Sequence, residues 1–145
     1  MLALLGACGD QPRAELVDPK APVRVRFATP TGEAVVTVEV ADTKSTIEKG
    51  LSGRTSLPPD GGMLFFMGKE QDWRFWMKDT LIPLDIIWLS KDRKIVGILH
   101  NAQPRTETSR SAGKPSLYVL EVNGGWCKAH GVHPDARVMF DNVKD

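Results

Sequence analysis

The stretch Arg74-Phe75-Trp76-Met77-Lys78-Asp79-Thr80-Leu81-Ile82-Pro83-Leu84-Asp85-Ile86-Ile87-Trp88-Leu89 is the most apolar and aromatic run of the chain, and its reading decides the fold. Ile82-Pro83 bends it, because the residue before a proline is pushed out of the helical region. Trp73 to Met77 on one side and Asp85 to Leu89 on the other read as short strands rich in aromatic and β-branched residues. Asp85 stands out inside the second. A carboxylate on a half-buried strand costs several kcal/mol, on the order of a lost core contact or more, unless it is paired, solvated or protonated. Chemistry or fold-specific wiring is therefore expected there.

Short strands continue outward on both sides. Val23 to Phe27 and Ala34 to Val40 alternate apolar and polar residues, and Pro30-Thr31-Gly32-Glu33 between them has turn chemistry, so the two form a hairpin. Thr43 to Leu51 reads as a short helix, with an Asp42 or Thr43 N-cap and Gly53 as its stop. Leu57 to Gly62 is a loop. Met63 to Met67, Lys94 to Leu99, Ser116 to Val122 and Ala136 to Phe140 complete the strands. Asn101 to Pro115 is polar, lacks periodicity and is expected as a long surface loop. Gly124 to His130 is one or two helical turns ending at Gly131. The pattern predicts a mostly β, β-rich α+β domain: a compact antiparallel barrel or sandwich with two short helices. A βαβ fold would need longer crossover helices.

With 145 residues, this is one domain or one domain plus a tail. A net charge of +1 supplies no bulk field for nucleic acid or anionic lipid, and no segment clusters Lys and Arg. No segment reaches the ~20 apolar residues of a membrane span. Leu5-Gly6-Ala7-Cys8 is similar to a bacterial lipoprotein cleavage box, which makes Cys8 the expected lipidation site. The run before it is shorter than a signal peptide and lacks a basic start. Residues 1–8 are therefore expected to be the remnant of a lipoprotein signal. Residues 9–22, with three prolines, are expected to be a flexible tether reaching at most ~50 Å. Residues 23–145 are the single folded domain. Membrane contact is expected through the lipid anchor only, in the cell envelope or periplasm, with a monomeric chain.

Gly50-Leu51-Ser52-Gly53-Arg54, Gly62-Met63-Leu64-Phe65 and Phe75-Trp76-Met77-Lys78-Asp79-Thr80-Leu81-Ile82-Pro83-Leu84-Asp85 follow one another in order, then Tyr118 to Val122, Gly125-Trp126 and His130-Gly131-Val132. This series resembles the bacterial and archaeal family known as domain of unknown function 192, over roughly Val23 to Phe140. The resemblance implies a compact β-rich fold and candidate positions but no established reaction. Many members of that family carry cysteines in the loop matching Asn101–Pro115; this chain has none there, so no role of those thiols carries over.

The residues on these segments suggest a ligand-binding site of Arg54, Trp76, Lys78, Thr80 and Asp85. Asp85 is either a ligand-binding carboxylate or general base, or a structural acceptor for Thr80 and nearby amides. Arg54 sits in a loop, able to pair with Asp85, receive a carboxylate or phosphate, or stay solvated. Trp76 and Lys78 share one face of their segment and Phe75 and Met77 the other, so one pair is core and the other can line a groove. Asp85 with Asp60 or Glu121 is the carboxylate pair that a hydrolase acting on glycan or peptidoglycan would need. His130, His133 and Asp135 have metal-ligand chemistry, but Gly131 and Pro134 break the helix that would align them, and no metal or other cofactor is expected. Cys127, with no base in register, is expected as a small buried hydrophobe. No nucleophile with a base in register and no phosphate-binding motif is present. The expectation is a non-enzymatic module binding an unidentified small molecule or envelope protein. A hydrolase is the first alternative, and a purely structural or assembly protein the second.

Overall fold

In the computed structural model, which describes residues 13–144, burial explains the apolar patterning strand by strand. The strands are Val23–Thr29 (β1), Gly32–Ala41 (β2), Gly61–Gln71 (β3), Leu84–Leu89 (β4), Ile95–Ala102 (β5), Ser116–Asn123 (β6) and Val138–Asp141 (β7). The helices are Lys44–Lys49 (α1) and Trp126–Ala129 (α2). All seven strands lie in one sheet, in the order β5-β4-β6-β3-β2-β1-β7. β1 and β2 alternate buried and open residues because one of their faces meets solvent. β4 is buried along its whole length and β3 along most of it, because both faces are covered, and the buried stretches are apolar except at Asp85.

Two apolar clusters occupy the two sides of this sheet. Val25, Phe27, Val36, Leu64, Ile87, Leu120 and Val122 form one, completed by Trp126 and Cys127 of α2. Met63, Phe65, Ile86, Trp88 and Val119 form the other, covered by Ile47 of α1, Leu51 and the Trp73, Phe75 and Met77 side chains. α1 starts at a reciprocal cap in which Thr43 Oγ1 accepts from the Thr46 amide while the Thr46 hydroxyl accepts from the Thr43 amide.

The fold is mostly β, as the sequence predicts, with four corrections. The sheet curls into a half-barrel and leaves β5 and β7 as edges, so it is neither a closed barrel nor a sandwich. β2 and β3 pair in parallel, Thr37 opposite Gly61 through Ala41 opposite Phe65, although the other neighbours are antiparallel. One six-residue helix suffices for this crossover because the chain returns beside the strand it has just left.

Trp73 to Met77 is not a sheet strand. Its backbone makes a single bridge, Phe75 with Arg110, and turns away through Asp79 at φ 56°. Finally, the described part of the expected tether is docked. Val17 N donates to Asn142 O (3.2 Å), Lys144 N to Glu15 O (2.8 Å), and the Asn142 amide to the Asp18 and Ala21 carbonyls. Cys8 and the signal remnant lie outside the described residues.

Candidate functional site

Asp85 is fully buried on β4, and three backbone amides converge on it. Its Oδ1 accepts from Asn101 N (2.8 Å) and Gly125 N (2.9 Å), and Oδ2 from Cys127 N (2.9 Å). Gly125 and Cys127 open α2, a helix without a side-chain cap of its own. Asp85 therefore caps α2 from another strand and also ties the end of β5 to it, meeting orphan amides that a helix start always leaves. The Gly124-Gly125 pair makes the approach possible. A Cβ on Gly124 would lie 2.6 Å from Asn101 Oδ1 and 3.0 Å from Pro83, and Gly125 holds φ 87°. Asp85 is thus an acceptor for backbone amides that are distant in sequence. Thr80, also fully buried, donates to the Lys78 carbonyl at 3.5 Å.

The polar stretch expected as a free surface loop is strapped onto the segment before β4. Phe75 and Arg110 exchange two backbone bonds of 2.8 Å, Met77 N donates to Thr106 O (2.9 Å) and Arg105 N to Thr80 O (3.0 Å). Between strap, segment and β5 lies a cavity of about 190 Å³. Its lining mixes the apolar side chains of Phe75, Met77, Ile86 and Leu99 with Trp76 and with polar groups including His100, Gln103, Thr106 and Arg110. Such a mixed lining offers a small molecule both packing surface and hydrogen-bonding groups.

Trp76 is half-buried at this cavity, and the Lys78 ammonium stands 5.3 Å from its ring centroid. Of the four tryptophans, three donate their indole N–H within the protein: Trp73 to Lys69 O, Trp88 to Trp73 O and Trp126 to Asp60 Oδ1. Trp76 Nε1 is buried and has no acceptor. Phe75 and Met77 are core, so the alternation across this segment sorts as the sequence indicates.

The other predicted residues lie elsewhere. Arg54 grips Glu39 with both guanidinium nitrogens, at 2.7 and 2.8 Å, and its bonds hold the Glu39 carboxyl below the usual range. The pair is 38% and 53% exposed, which makes it a surface contact worth at most about 1 kcal/mol. Arg54 thus forms an ion pair, with Glu39 and not Asp85.

Asp60 accepts from Trp126 Nε1 (3.0 Å) and lies 3.2 Å from His130 Nε2. His130 Nδ1 donates to the Trp126 carbonyl, and its ring stacks on the indole at 4.4 Å. Asp60 and Asp85 both hold α2. Glu121 pairs across the sheet with Ile86, not with Asp85, so Asp85 and Glu121 face opposite sides of the sheet. The Asp85–Glu121 pair of the hydrolase reading therefore does not converge.

Among the described residues no group of three His, Cys, Asp or Glu side chains gathers as a metal site. Cys127 is buried, and that burial together with Asp85 pushes its thiol up, away from the thiolate a nucleophile needs.

Sequence reasoning missed Glu39, the strap residues and the isolation of Glu121. The strap carries no periodicity, and its pairing is made by backbone groups that any residue supplies. The Glu121 signal was available: Val119-Leu120-Glu121-Val122 is an otherwise apolar strand.

Residues 26–140 match the model of a protein family, domain of unknown function 192, described as an uncharacterized ACR. Two crystal structures share the fold. One is a protein from Sinorhizobium meliloti 1021 described as a candidate transcription regulator, 40% identical, with a TM-score of 0.78 over 83% of this chain and 94% of the other. The second is a protein of unknown function from Novosphingobium aromaticivorans DSM 12444, 36% identical, with a TM-score of 0.78 over 92% of this chain and 99% of the other. No curated protein matches.

Proposed function

Because the chain belongs to the family of domain of unknown function 192, which carries no assigned reaction, we propose its role from its site: a non-enzymatic module that binds a small ligand at the Trp76 cavity. The observation that carries this reading is the indole N–H of Trp76, buried at that cavity without an acceptor while the other three indoles are satisfied. Buried polar groups are nearly always paired, and an unpaired donor on a residue lining a cavity suits a ligand that brings the acceptor. The Lys78 ammonium stands against the same ring, 5.3 Å from its centroid. Asp85 acts at a distance, fixing Asn101 on the cavity wall. Thr80 serves the same wall, since its carbonyl holds the strap at Arg105. Arg54, engaged with Glu39, has no part in this cavity.

A thermal-shift screen of the full chain against sugars, peptidoglycan fragments, nucleotides and amino acids tests it. A ligand at 100 times its Kd adds about 2.7 kcal/mol, several degrees for a domain of this size. The Trp76→Phe variant, which keeps the ring and loses the donor, is expected to weaken that ligand roughly tenfold, the worth of one buried hydrogen bond. No shift from any compound, or one indifferent to Trp76→Phe, sinks the reading.

The module is further proposed to sit in the cell envelope, anchored by lipid on Cys8, on the strength of Leu5-Gly6-Ala7-Cys8. Cys8→Ser is expected to move the protein from the membrane to the soluble fraction of a bacterial lysate. An unchanged distribution overturns the anchor.

A further inference from the structure

Glu121 is fully buried, and neither of its carboxyl oxygens has a hydrogen-bond partner. Such a group is rare in a folded protein and asks for an explanation. Its place in the sheet supplies one. Glu39, Met63, Glu121, Ile86 and Leu99 form one continuous cross-strand row over β2, β3, β6, β4 and β5, all on the same side. Ile86 and Leu99 line the Trp76 cavity. Glu121 therefore stands one strand, about 5 Å, inward from the cavity lining.

Nothing charged competes for it in this row. Glu39 is two strands away and holds Arg54, and Asp85 faces the opposite side of the sheet. In this row Ile86 stands between Glu121 and the opening, and Met77 lines the same cavity. Unbranched methionine side chains give way with little strain.

The chemistry is selective. A carboxyl with both oxygens unused offers about four lone-pair positions in an enclosed apolar setting. A primary ammonium brings three N–H donors and a guanidinium a two-pronged fork, and each forms charge-assisted bonds with both oxygens. Trp76, at the same cavity, offers the converse, one donor without an acceptor.

We propose that Glu121 is the buried end of the ligand site at the Trp76 cavity, taking a primary ammonium or guanidinium group while an acceptor of the same ligand meets the Trp76 indole. The proposal rests on the cavity reading above and adds the ligand class, a small molecule with a cationic nitrogen at one end and an acceptor at the other. Burial pushes the Glu121 carboxyl up to about 8, so it is neutral in the empty protein at neutral pH. A docked cation would lower the carboxyl's hold on its proton, which passes to solvent and leaves a carboxylate–cation ion pair.

The test uses the full chain at neutral pH with glycine, β-alanine and γ-aminobutyrate, each against its deaminated analogue acetate, propionate or butyrate. The expected result is a thermal shift of several degrees from at least one amine and a smaller one or none from its analogue. Glu121→Gln, of the same shape, is expected to weaken that amine roughly tenfold or more. In the wild-type protein the infrared band of a protonated carboxyl is expected to give way to that of a carboxylate as the amine binds; this needs no variant and holds even if Glu121→Gln fails to fold. An amine shift unchanged in Glu121→Gln but lost in Trp76→Phe overturns the role of Glu121 and leaves the cavity reading standing. A shift lost in Glu121→Gln but untouched by Trp76→Phe overturns the shared site and the cavity reading with it. No shift and no infrared change from any amine overturns the proposal.

Discussion

Replacing Asp85 with alanine is expected to lower the unfolding free energy by about 4 kcal/mol or more, read as a lower urea midpoint at unchanged slope. Three amides, of Asn101, Gly125 and Cys127, lose a charged acceptor at once. Each buried donor left without a partner costs about 1–3 kcal/mol. Two of the three are at the start of α2, which has no other side-chain cap. Domains of this kind are stable by only about 5–15 kcal/mol, so the variant should be at or past the edge of folding at 37 °C, roughly body temperature. Asp85→Asn is expected to lose less, about 2–3 kcal/mol, because one oxygen remains for two of the amides while the new amide group faces the N–H of Cys127. Arg54→Ala is the contrast, at most about 1 kcal/mol, since its pair with Glu39 is half in solvent. An Asp85→Ala loss no larger than that of Arg54→Ala would mean that the three bonds are not what holds β5, β6 and α2 together.

The same comparison shows where a single sequence is readable. Asp85 was legible as a position that needs partners, because a charge between Leu84 and Ile86 on an apolar strand has one physical meaning. Its partners were not, because they are backbone amides from residues 16, 40 and 42 positions away, and any side chain there presents the same N–H. The strands were legible where burial alternates or saturates. Trp73 to Met77 misled for the converse reason: its side chains alternate as a strand's would, but its backbone forms a single bridge, Phe75 with Arg110, and joins no ladder. Arg54 was legible as a pairing group and Glu39 as its partner was not, since the parallel β2–β3 alignment that brings Glu39 beside Met63, and so within reach of the loop after α1, is a matter of topology. The cavity was the least readable of all, being made where an aperiodic strap crosses β5 and the segment that misled.

Glu121 carries the second large effect, and its sign is set by burial. Its carboxyl is pushed up from 4.5 to about 8 by desolvation, with Met63 and Ile86 as its cross-strand neighbours. Below pH 4.5 folded and unfolded chains both hold the proton, and stability from this group is fully present. Between that pH and about 8 the unfolded chain gives the proton up while the folded chain keeps it. Stability then falls by about 1.4 kcal/mol for each pH unit, and the loss ends once the folded protein ionises too. Summed over the window this is on the order of 5 kcal/mol, comparable to the whole margin of a small domain. Glu121→Met, of similar length and without a titrating group, removes the effect. The unfolding free energies of variant and wild type, measured by urea at a series of pH values, are therefore expected to diverge steadily in favour of the variant up to about pH 8 and run parallel above it. A constant gap across the series would mean that Glu121 has an acceptor-satisfying partner or water access in the folded state, and that its burial is not what fixes its protonation. A gap that widens as expected makes Glu121 a site kept at a cost to the fold, and a saturating cationic ligand should then return most of that cost by supplying the missing partner.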